Sequence, residues 1–332
     1  MKTRVIGLIV SLVLVATACG DDETGTTATT TTTTTTAATS TTTTEATSTT
    51  AAGVTYTGFD GVESVVTDTS RIVSLSGDFT EILFDLGAGD RVVAVDVTTT
   101  FPEATADIPV IGFAQSLAPE PVLAMQPTLV LANELTAPAE SIEQLRAAGV
   151  PVVVLATGSS LDDVTAKITT IAHLVGLDEA GGLLAERVGA EIDAARETAA
   201  RADRAPRVAF IYTRGPQLLL FFGAGMATNA MIEGAGAVDV GAEAGVMGAQ
   251  PLTPEAIIAA APDVIVLPES GLAALGGIEA LLEIPGIAET PAGAAGAFLA
   301  YDEAYFFNLG PRAGVALMEF VLDLYPELES GA

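Results

Sequence analysis

A fifteen-residue pattern occurs twice in the chain, at residues 117–131 and again at residues 252–266. In each copy a proline followed by a glutamate, at 119–120 and 254–255, marks the first turn of a short helix. A second proline ends that helix, and the apolar run after it predicts a buried strand. The repeat therefore predicts two related α/β lobes, and the cleft between such lobes is a common place for a small molecule to bind.

The N-terminus predicts export followed by lipid anchoring. Lys2 and Arg4 precede an apolar segment, residues 5–18, that is too short for a transmembrane helix but suits a secretory signal. The small residues before Cys19 resemble a lipoprotein signal, in which the cysteine is acylated and becomes the mature N-terminus. We expect residues 1–19 to be this signal; an ordinary signal peptide with an incidental cysteine is the alternative. Because Cys19 is the only cysteine, an intramolecular disulfide and a buried thiol nucleophile are both excluded.

A threonine-rich tract follows the signal. Of the 27 residues from 24 to 50, 19 are threonine. Such a tract cannot bury enough apolar surface to offset the entropy lost on ordering. We expect residues 20–67 to be a disordered tether that carries the folded part away from a membrane surface.

The charge of the chain excludes one class of partner. Removing Lys2 and Arg4 leaves 11 of the 13 basic residues against 42 acidic ones, a net charge near −31. Because nucleic-acid binding depends on neutralising phosphates with lysine and arginine, nucleic acid is not an expected partner.

The order of predicted elements defines an α/β fold class. Strands alternate with helices over residues 68–160, predicting a parallel sheet covered on both faces, and the alternation resumes over residues 205–328. Between them, residues 161–204 are purely helical, with a sequence at Ser160 and Asp163 that resembles a capping box. We predict an N-terminal lobe, a helical spine and a C-terminal lobe, with the ligand cleft between two similar parallel-sheet lobes. A helical spine packed on both lobes resists bending, so only a small closure is expected on binding. The predicted strands are 71–75, 91–95, 129–131, 152–155, 208–212, 218–222, 264–266 and 297–301, and the predicted helices outside the spine begin at 79, 119, 140, 227, 254, 278 and 311.

Signatures of an enzyme are missing from the sequence. There is no Gly-x-Ser-x-Gly elbow and no HExxH helix. The only histidine, His173, lies opposite the apolar stripe of its helix, so a histidine-rich metal site is excluded and we do not expect His173 to be a ligand. We therefore expect a binding protein, while an extracellular hydrolase is the alternative of another class.

From residue 71 to residue 325 the chain resembles the substrate-binding lipoproteins of ABC importers, in the helical-backbone class that carries vitamin B12, iron siderophores and heme. The heme branch is the most similar. The resemblance implies an extracytoplasmic, membrane-anchored protein that captures heme as a transported ligand and delivers it to an ABC permease dimer with ATPase subunits. We expect a monomer; a ferric siderophore or cobalamin ligand, and a ligandless envelope protein, are the alternatives. Four segments carry the likeness in chain order: 71–81 (RIVSLSGDFTE), 86–96 (LGAGDRVVAVD), 221–225 (FFGAG) and 307–312 (FNLGPR).

The likeness to the heme branch is sharpest at residues 211–214, Ile-Tyr-Thr-Arg. Proteins that share this motif use the tyrosine as an axial iron ligand and the arginine to hydrogen-bond its oxygen, which implies these roles for Tyr212 and Arg214. Residues two apart at a strand end project from the same face, and a neighbouring guanidinium favours a phenolate, a suitable ligand for ferric heme. The alternative is a half-buried tyrosine beside a solvated arginine.

Two first-lobe positions depart from the heme branch. Phe101 precedes a proline where some members have a ligating tyrosine, and Phe113 is followed by alanine where others place a histidine. These two phenylalanines could sandwich a flat macrocycle, and Met247 could supply a thioether as the second axial ligand. Arg312, at the start of the last helix, could neutralise a ligand carboxylate at the cleft mouth or tie that helix to the sheet.

The duplicated glutamates form a separate pair of candidates. Glu120 and Glu255 occupy the same position in the two repeats, where a first-turn carboxylate is stabilised by the helix dipole. The resemblance implies that such a pair docks on arginines of the two membrane subunits. Both roles are compatible.

Overall fold

The computed structural model describes residues 53–331. The predicted signal peptide, Cys19 and the threonine-rich tract lie outside these residues. Among the described helices, none combines the length and the apolar character needed to cross a bilayer.

A β-hairpin stands where the sequence predicted the end of a disordered tether. Its two antiparallel strands, β1 (Val54–Thr57) and β2 (Glu63–Val66), lie within the predicted tether, so that prediction is wrong for this segment. The Phe59 amide donates to Val154 O at 2.8 Å, and Ser64 Oγ donates to Val152 O at 3.0 Å. The hairpin is ordered by covering the edge of the first sheet, a contact between residues about 90 positions apart that local composition cannot indicate.

The first lobe is a parallel sheet, as predicted, and its four strands lie in the order β4-β3-β5-β6. Helices α2 and α3 cover one face, where a local apolar cluster lies beneath them. Helix α1 packs with the spine on the other face. The elements are β3 (Ile72–Ser74), α1 (Gly77–Asp85), β4 (Val92–Val95), α2 (Pro119–Ala124), β5 (Leu129–Asn133), α3 (Ala139–Ala147) and β6 (Val152–Leu155).

The spine consists of two helices, α4 (Asp162–Leu174) and α5 (Asp178–Ala199). The capping box is confirmed, since the Ser160 amide donates to Asp163 Oδ2 at 2.9 Å and the Asp163 amide donates to Ser160 Oγ at 3.3 Å. Each spine helix buries an apolar stripe along one side, formed by Val164, Ile168, Ile171 and Val175 in and just after α4, and by Leu184, Val188, Ile192 and Ala195 in α5. One continuous core joins the spine to a face of each sheet.

The second lobe has a mixed sheet, unlike the parallel sheet predicted for it. The order is β10-β8-β7-β11-β12, with β9 also paired to β7; β8 and β10 run antiparallel to their neighbours. A tight turn from Gly215, which has a φ of +98°, to Leu218 returns the chain directly beside β7, and so short a connection can join only antiparallel strands. The strands are β7 (Arg207–Thr213), β8 (Leu219–Phe222), β9 (Val238–Asp239), β10 (Ala249–Pro251), β11 (Val264–Pro268) and β12 (Phe298–Tyr301), and the helices are α6 (Ala227–Gly234), α7 (Val240–Glu243), α8 (Pro254–Ala260), α9 (Glu269–Leu275), α10 (Ile278–Leu282), α11 (Pro291–Ala295), α12 (Glu303–Phe306) and α13 (Ala313–Leu324).

Candidate functional site

A cavity of about 620 Å³ lies between the lobes, within the usual size range of small-molecule sites. The first lobe lines it with residues at or just after the carboxyl ends of its four strands: Ser76, Asp96, Asn133 and Thr157. The second lobe contributes residues 225–227 and 307–308. Ligands of open α/β sheets bind outside the carboxyl ends of the strands, so this cavity is the candidate binding site.

The rim of the cavity is apolar. Phe59, Phe113 and Leu135 come from the first lobe, and Met226 and Phe307 come from the second. The three first-lobe side chains expose 66%, 43% and 54% of their surface, respectively. Large apolar groups left exposed around a concavity are typical of a site that takes an apolar ligand.

The floor contains a buried ion pair that the sequence analysis missed. Lys167 of α4 and Asp78 of α1 are 6% and 2% exposed, and their charged groups are in direct contact. Lys167 Nζ also donates to Thr157 O at 2.7 Å and to Asn308 O at 3.3 Å. One ammonium therefore connects both lobes to the spine. The only sequence signal was the position of Lys167, three residues after Val164 on the buried stripe of α4.

A second buried acid, Asp96, lies beside this pair. Its Oδ1 accepts hydrogen bonds from the Thr98 amide at 3.2 Å and from Thr98 Oγ1 at 2.6 Å. Its Oδ2 has no hydrogen-bond partner among the described residues. Burial raises the pKa of Asp96 to about 6, and the nearby Asp78 carboxylate acts in the same direction.

Tyr212 and Arg214 lie together at the carboxyl end of β7, as their spacing predicted. Arg214 Nε donates to Tyr212 Oη at 2.8 Å, and Arg214 Nη2 lies 2.8 Å from Glu303 Oε2. The tyrosine ring stacks on Phe222, with the ring centroids 5.6 Å apart. Glu303 was not anticipated, because it comes from α12, almost 90 residues further along the chain.

The pKa of Tyr212 is raised, whereas the sequence predicted that the neighbouring guanidinium would favour the phenolate. Burial raises its pKa above the usual value near 10, and the Glu303 carboxylate raises it further. Arg214 lowers the pKa, as expected, but its effect is the smaller one. The unliganded tyrosine is therefore a neutral phenol near pH 7, already hydrogen-bonded by the arginine.

Arg312 has a partner within the protein. Its guanidinium forms two hydrogen bonds with Glu81, at 2.9 and 3.0 Å, and its Cζ lies 3.8 Å from the centroid of the Phe101 ring. Glu81 belongs to α1, so this ion pair also joins the two lobes. Arg312 thus ties the last helix to a helix of the opposite lobe and not to the sheet, and its role toward a ligand carboxylate stays a prediction.

Among the six predicted ligand-binding residues, Phe113 alone lines the cavity. Met247 is 69% exposed and does not line it; the methionine that does is Met226. Tyr212 is connected to the cavity wall by contacting aromatic rings, from Phe222 to Phe210 at 5.1 Å and from Phe210 to Phe307 at 4.7 Å. Phe101, Arg312 and Arg214 do not line the cavity.

Glu120 and Glu255 occupy equivalent exposed positions, each in the first turn of its helix, α2 and α8. Neither forms an ion pair within residues 53–328. His173 is exposed, and its Nδ1 lies 2.8 Å from Asp178 Oδ1. In the described part of the chain, no cluster of three or more histidine, cysteine or acidic residues could hold a metal ion.

Comparison with protein families places residues 72–305 in the family described as periplasmic binding protein. Among curated relatives, the vitamin B12-binding protein of Vibrio campbellii (strain ATCC BAA-1116) is 31% identical over 38% of this chain. An uncharacterized ABC transporter substrate-binding lipoprotein of Bacillus subtilis (strain 168), YvrC, is 30% identical over 41% of it. The matches span somewhat less than half of these relatives, 46% and 44% of their lengths.

Solved structures match over more of the chain. The periplasmic heme-binding protein RhuT from Roseiflexus sp. RS-1, in its apo form, is 42% identical with a TM-score of 0.76, and the match covers 79% of this chain and 100% of RhuT. The heme-binding protein HmuT is 35% identical with a TM-score of 0.77, covering 82% of this chain and 90% of HmuT. The HmuT structures include one variant with a tyrosine replaced by alanine and another with an arginine, two positions later, replaced by alanine.

Proposed function

The chain belongs to the periplasmic binding protein family, and from this premise we propose that it captures heme between its lobes and delivers it to an ABC import permease. The observation that carries the choice of ligand is the hydrogen bond from Arg214 to Tyr212 at the carboxyl end of β7. A tyrosine held in this way presents one oxygen in a fixed position, as an axial ligand must. The arginine and tyrosine chosen for substitution in HmuT have the same two-residue spacing, which supports the assignment.

In this proposal, iron binding displaces a proton from Tyr212. The free phenol is neutral because burial and Glu303 raise its pKa. Ferric iron binds the phenolate form, so coordination releases one proton and is favoured as the pH rises. Arg214 already donates to the phenol oxygen and retains that hydrogen bond when the oxygen becomes anionic, where charge strengthens it.

The cavity rim supports a large apolar ligand. Phe113 and Phe307 come from opposite lobes and both reach the cavity wall, where they can contact the faces or edges of a flat macrocycle. Contacting rings of Phe210 and Phe222 join Phe307 to Tyr212, so the proposed iron ligand and the cavity wall belong to one aromatic cluster, in which Phe210 is fully buried.

A hemin titration followed by absorbance tests the proposal. The protein should shift the Soret band and give a high-spin, tyrosinate-type spectrum, since phenolate is a weak-field ligand and no histidine lies at the site. Tyr212→Phe should keep the fold and remove that signature, and Arg214→Ala should weaken it to a smaller degree. Tyr305→Phe is the matched control, because Tyr305 is a half-buried tyrosine of the same lobe whose hydroxyl donates to Glu319 instead. A spectrum that is the same for Tyr212→Phe and for the unmodified protein contradicts the assignment.

The second candidate ligand is a corrinoid, favoured by the likeness to the vitamin B12-binding protein. Cobalamin carries its own lower axial base and does not need a phenolate. A protein that binds cobalamin or a ferric siderophore and ignores hemin would replace the heme proposal, and a protein that binds none of them would be a ligandless envelope protein.

We place the protein on the extracytoplasmic face of the membrane, anchored by acylated Cys19. The family and the likeness to a substrate-binding lipoprotein support this location. Cys19→Ala should prevent acylation and leave the protein released or unprocessed, as fractionation of cells can measure. Recovery of the processed variant in the membrane fraction would contradict the lipid anchor.

A further inference from the structure

The N-terminal hairpin is held firmly beside the cavity. At its turn, the Gly58 amide donates to Val62 O at 2.9 Å, and the Phe59 amide donates to Val154 O of β6 at 2.8 Å. Next to Phe59, Asp60 forms an ion pair with Arg146 of α3, with Oδ2 and Nη1 2.7 Å apart. The backbone of Phe59 and the side chain of Asp60 are thus tied to the first lobe, while Gly58 closes the turn within the hairpin itself.

This attachment directs two hairpin side chains to the cavity. Tyr56 is half-buried against the main core and lines the cavity wall, while Phe59 lines the rim with 66% of its surface exposed. One exposed apolar side chain is common on a protein surface, whereas several around the same concavity indicate a binding site. Phe113 and Leu135, from two other loops of the first lobe, are exposed at the same rim.

We infer that Phe59 is a ligand-contact residue, and that the hairpin is the part of the first lobe that holds the apolar edge of a porphyrin-type macrocycle. The inference rests on the proposed heme-binding function and deepens it. First-lobe positions 101 and 113 are phenylalanines and carry no oxygen or nitrogen ligand. Phe59 is the most exposed of the large apolar residues that this lobe contributes to the cavity rim, so it has the most surface for a ligand to bury. Phe59 acts on the macrocycle and not on the iron, because a phenylalanine ring has no donor atom that can ligate a metal.

The test compares hemin with iron-free protoporphyrin IX, using Phe59→Ala, Tyr212→Phe and Val65→Ala in the full protein. Val65 is the matched control: it lies on the same hairpin, is 51% exposed and does not line the cavity. Phe59→Ala should lower the affinity for hemin and for protoporphyrin IX by roughly tenfold each. This is the loss expected when the ligand can no longer bury a largely exposed ring. Its hemin complex should retain the tyrosinate-type spectrum. Tyr212→Phe should lower the affinity for hemin but not for protoporphyrin IX, and Val65→Ala should change neither affinity.

The outcomes separate this inference from the proposed function. In one outcome, the unmodified protein binds hemin with the Tyr212-dependent spectrum, but the affinities of Phe59→Ala for both porphyrins stay within twofold of those of the unmodified protein. The hairpin is then not a contact element, and the heme function stands. If Phe59→Ala and Val65→Ala weaken binding equally, the effect comes from the stability of the hairpin, which also overturns the inference. If the unmodified protein binds neither porphyrin, both proposals fail. Thermal unfolding of Phe59→Ala should match that of the unmodified protein, because the ring is mostly exposed.

Discussion

Lys167→Met should destabilise the protein strongly, because it removes the charge that compensates buried Asp78. The Asp78 carboxylate is 2% exposed and would retain only the hydrogen bond from Ser76 Oγ. Removing one partner of a buried ion pair costs about 3–5 kcal/mol, since the other charge stays buried without compensation. Methionine has nearly the length of lysine, so the loss reports charge and hydrogen bonding more than an empty volume.

The expected loss of stability can be converted into a shift of the thermal unfolding midpoint. For a domain of 150–250 residues, 1 kcal/mol shifts the midpoint by about 2–4 °C. The described unit is slightly larger than this range, so the lower end of the scale applies and the variant should melt about 6–10 °C earlier. Circular dichroism with heat and with urea measures this shift and the free energy of unfolding.

Two comparison variants make the reasoning testable. Arg196→Ala removes a cation from the other spine helix, where Arg196 and its partner Asp162 have side chains 39% and 82% exposed, and it should change stability by less than about 1 kcal/mol. Adding Asp78→Asn to Lys167→Met removes the stranded charge and should recover more than half of the lost stability. A Lys167→Met protein as stable as Arg196→Ala, or a double variant no more stable than the single one, would refute the role of the buried charge.

Three further predictions concern the site and its partner. Glu303→Gln removes a carboxylate that raises the pKa of Tyr212, so the tyrosinate-type hemin spectrum should form at lower pH in an absorbance titration. Asp96 has a pKa of about 6 when folded against about 3.9 when unfolded, so the folded state binds more protons between these values. Its contribution to stability is therefore present below pH 4 and lost as the pH rises through 6. The stability of the unmodified protein relative to Asp96→Asn, measured by urea unfolding at pH 4 and pH 7, should fall by about 2 kcal/mol between these two pH values. Replacing both Glu120 and Glu255 with alanine should leave hemin affinity unchanged, because both lie outside the cavity lining. The same variant should abolish uptake by cells, because the pair is expected to dock on arginines of the membrane subunits.

Each of these predictions has an outcome that contradicts it. An unshifted spectral midpoint in Glu303→Gln would show that the carboxylate does not act on Tyr212. Parallel stability curves for Asp96→Asn and the unmodified protein would place the titrating group elsewhere. Normal uptake by the double glutamate variant would leave Glu120 and Glu255 as partners of their helix dipoles alone.

Short-range features of the fold were predictable from sequence, because they depend on residues a few positions apart. The prolines at 119 and 254 begin α2 and α8 as expected, and Ser160 and Asp163 form the capping box beside α4. The contact between Tyr212 and Arg214 follows from the two-residue period of a strand.

The prediction of a disordered tether was wrong for residues 53–66. This segment follows the threonine-rich tract and contains no long apolar run, although only two of its 14 residues are threonine. An isolated two-stranded hairpin is marginal in water, and this one is stabilised by contacts with β6 and α3 that lie 86–95 positions away.

The sequence by itself determined the two-lobed α/β class, the helical spine and the Tyr212–Arg214 pair, because periodicity and capping are properties of neighbouring residues. Only the tertiary structure decided which distant charges meet. It brought Lys167 to Asp78, Arg312 to Glu81 and Glu303 to Arg214, across 89, 231 and 89 positions. Such contacts depend on how whole helices and sheets pack, and the side-chain pattern within one element does not specify the element that will face it.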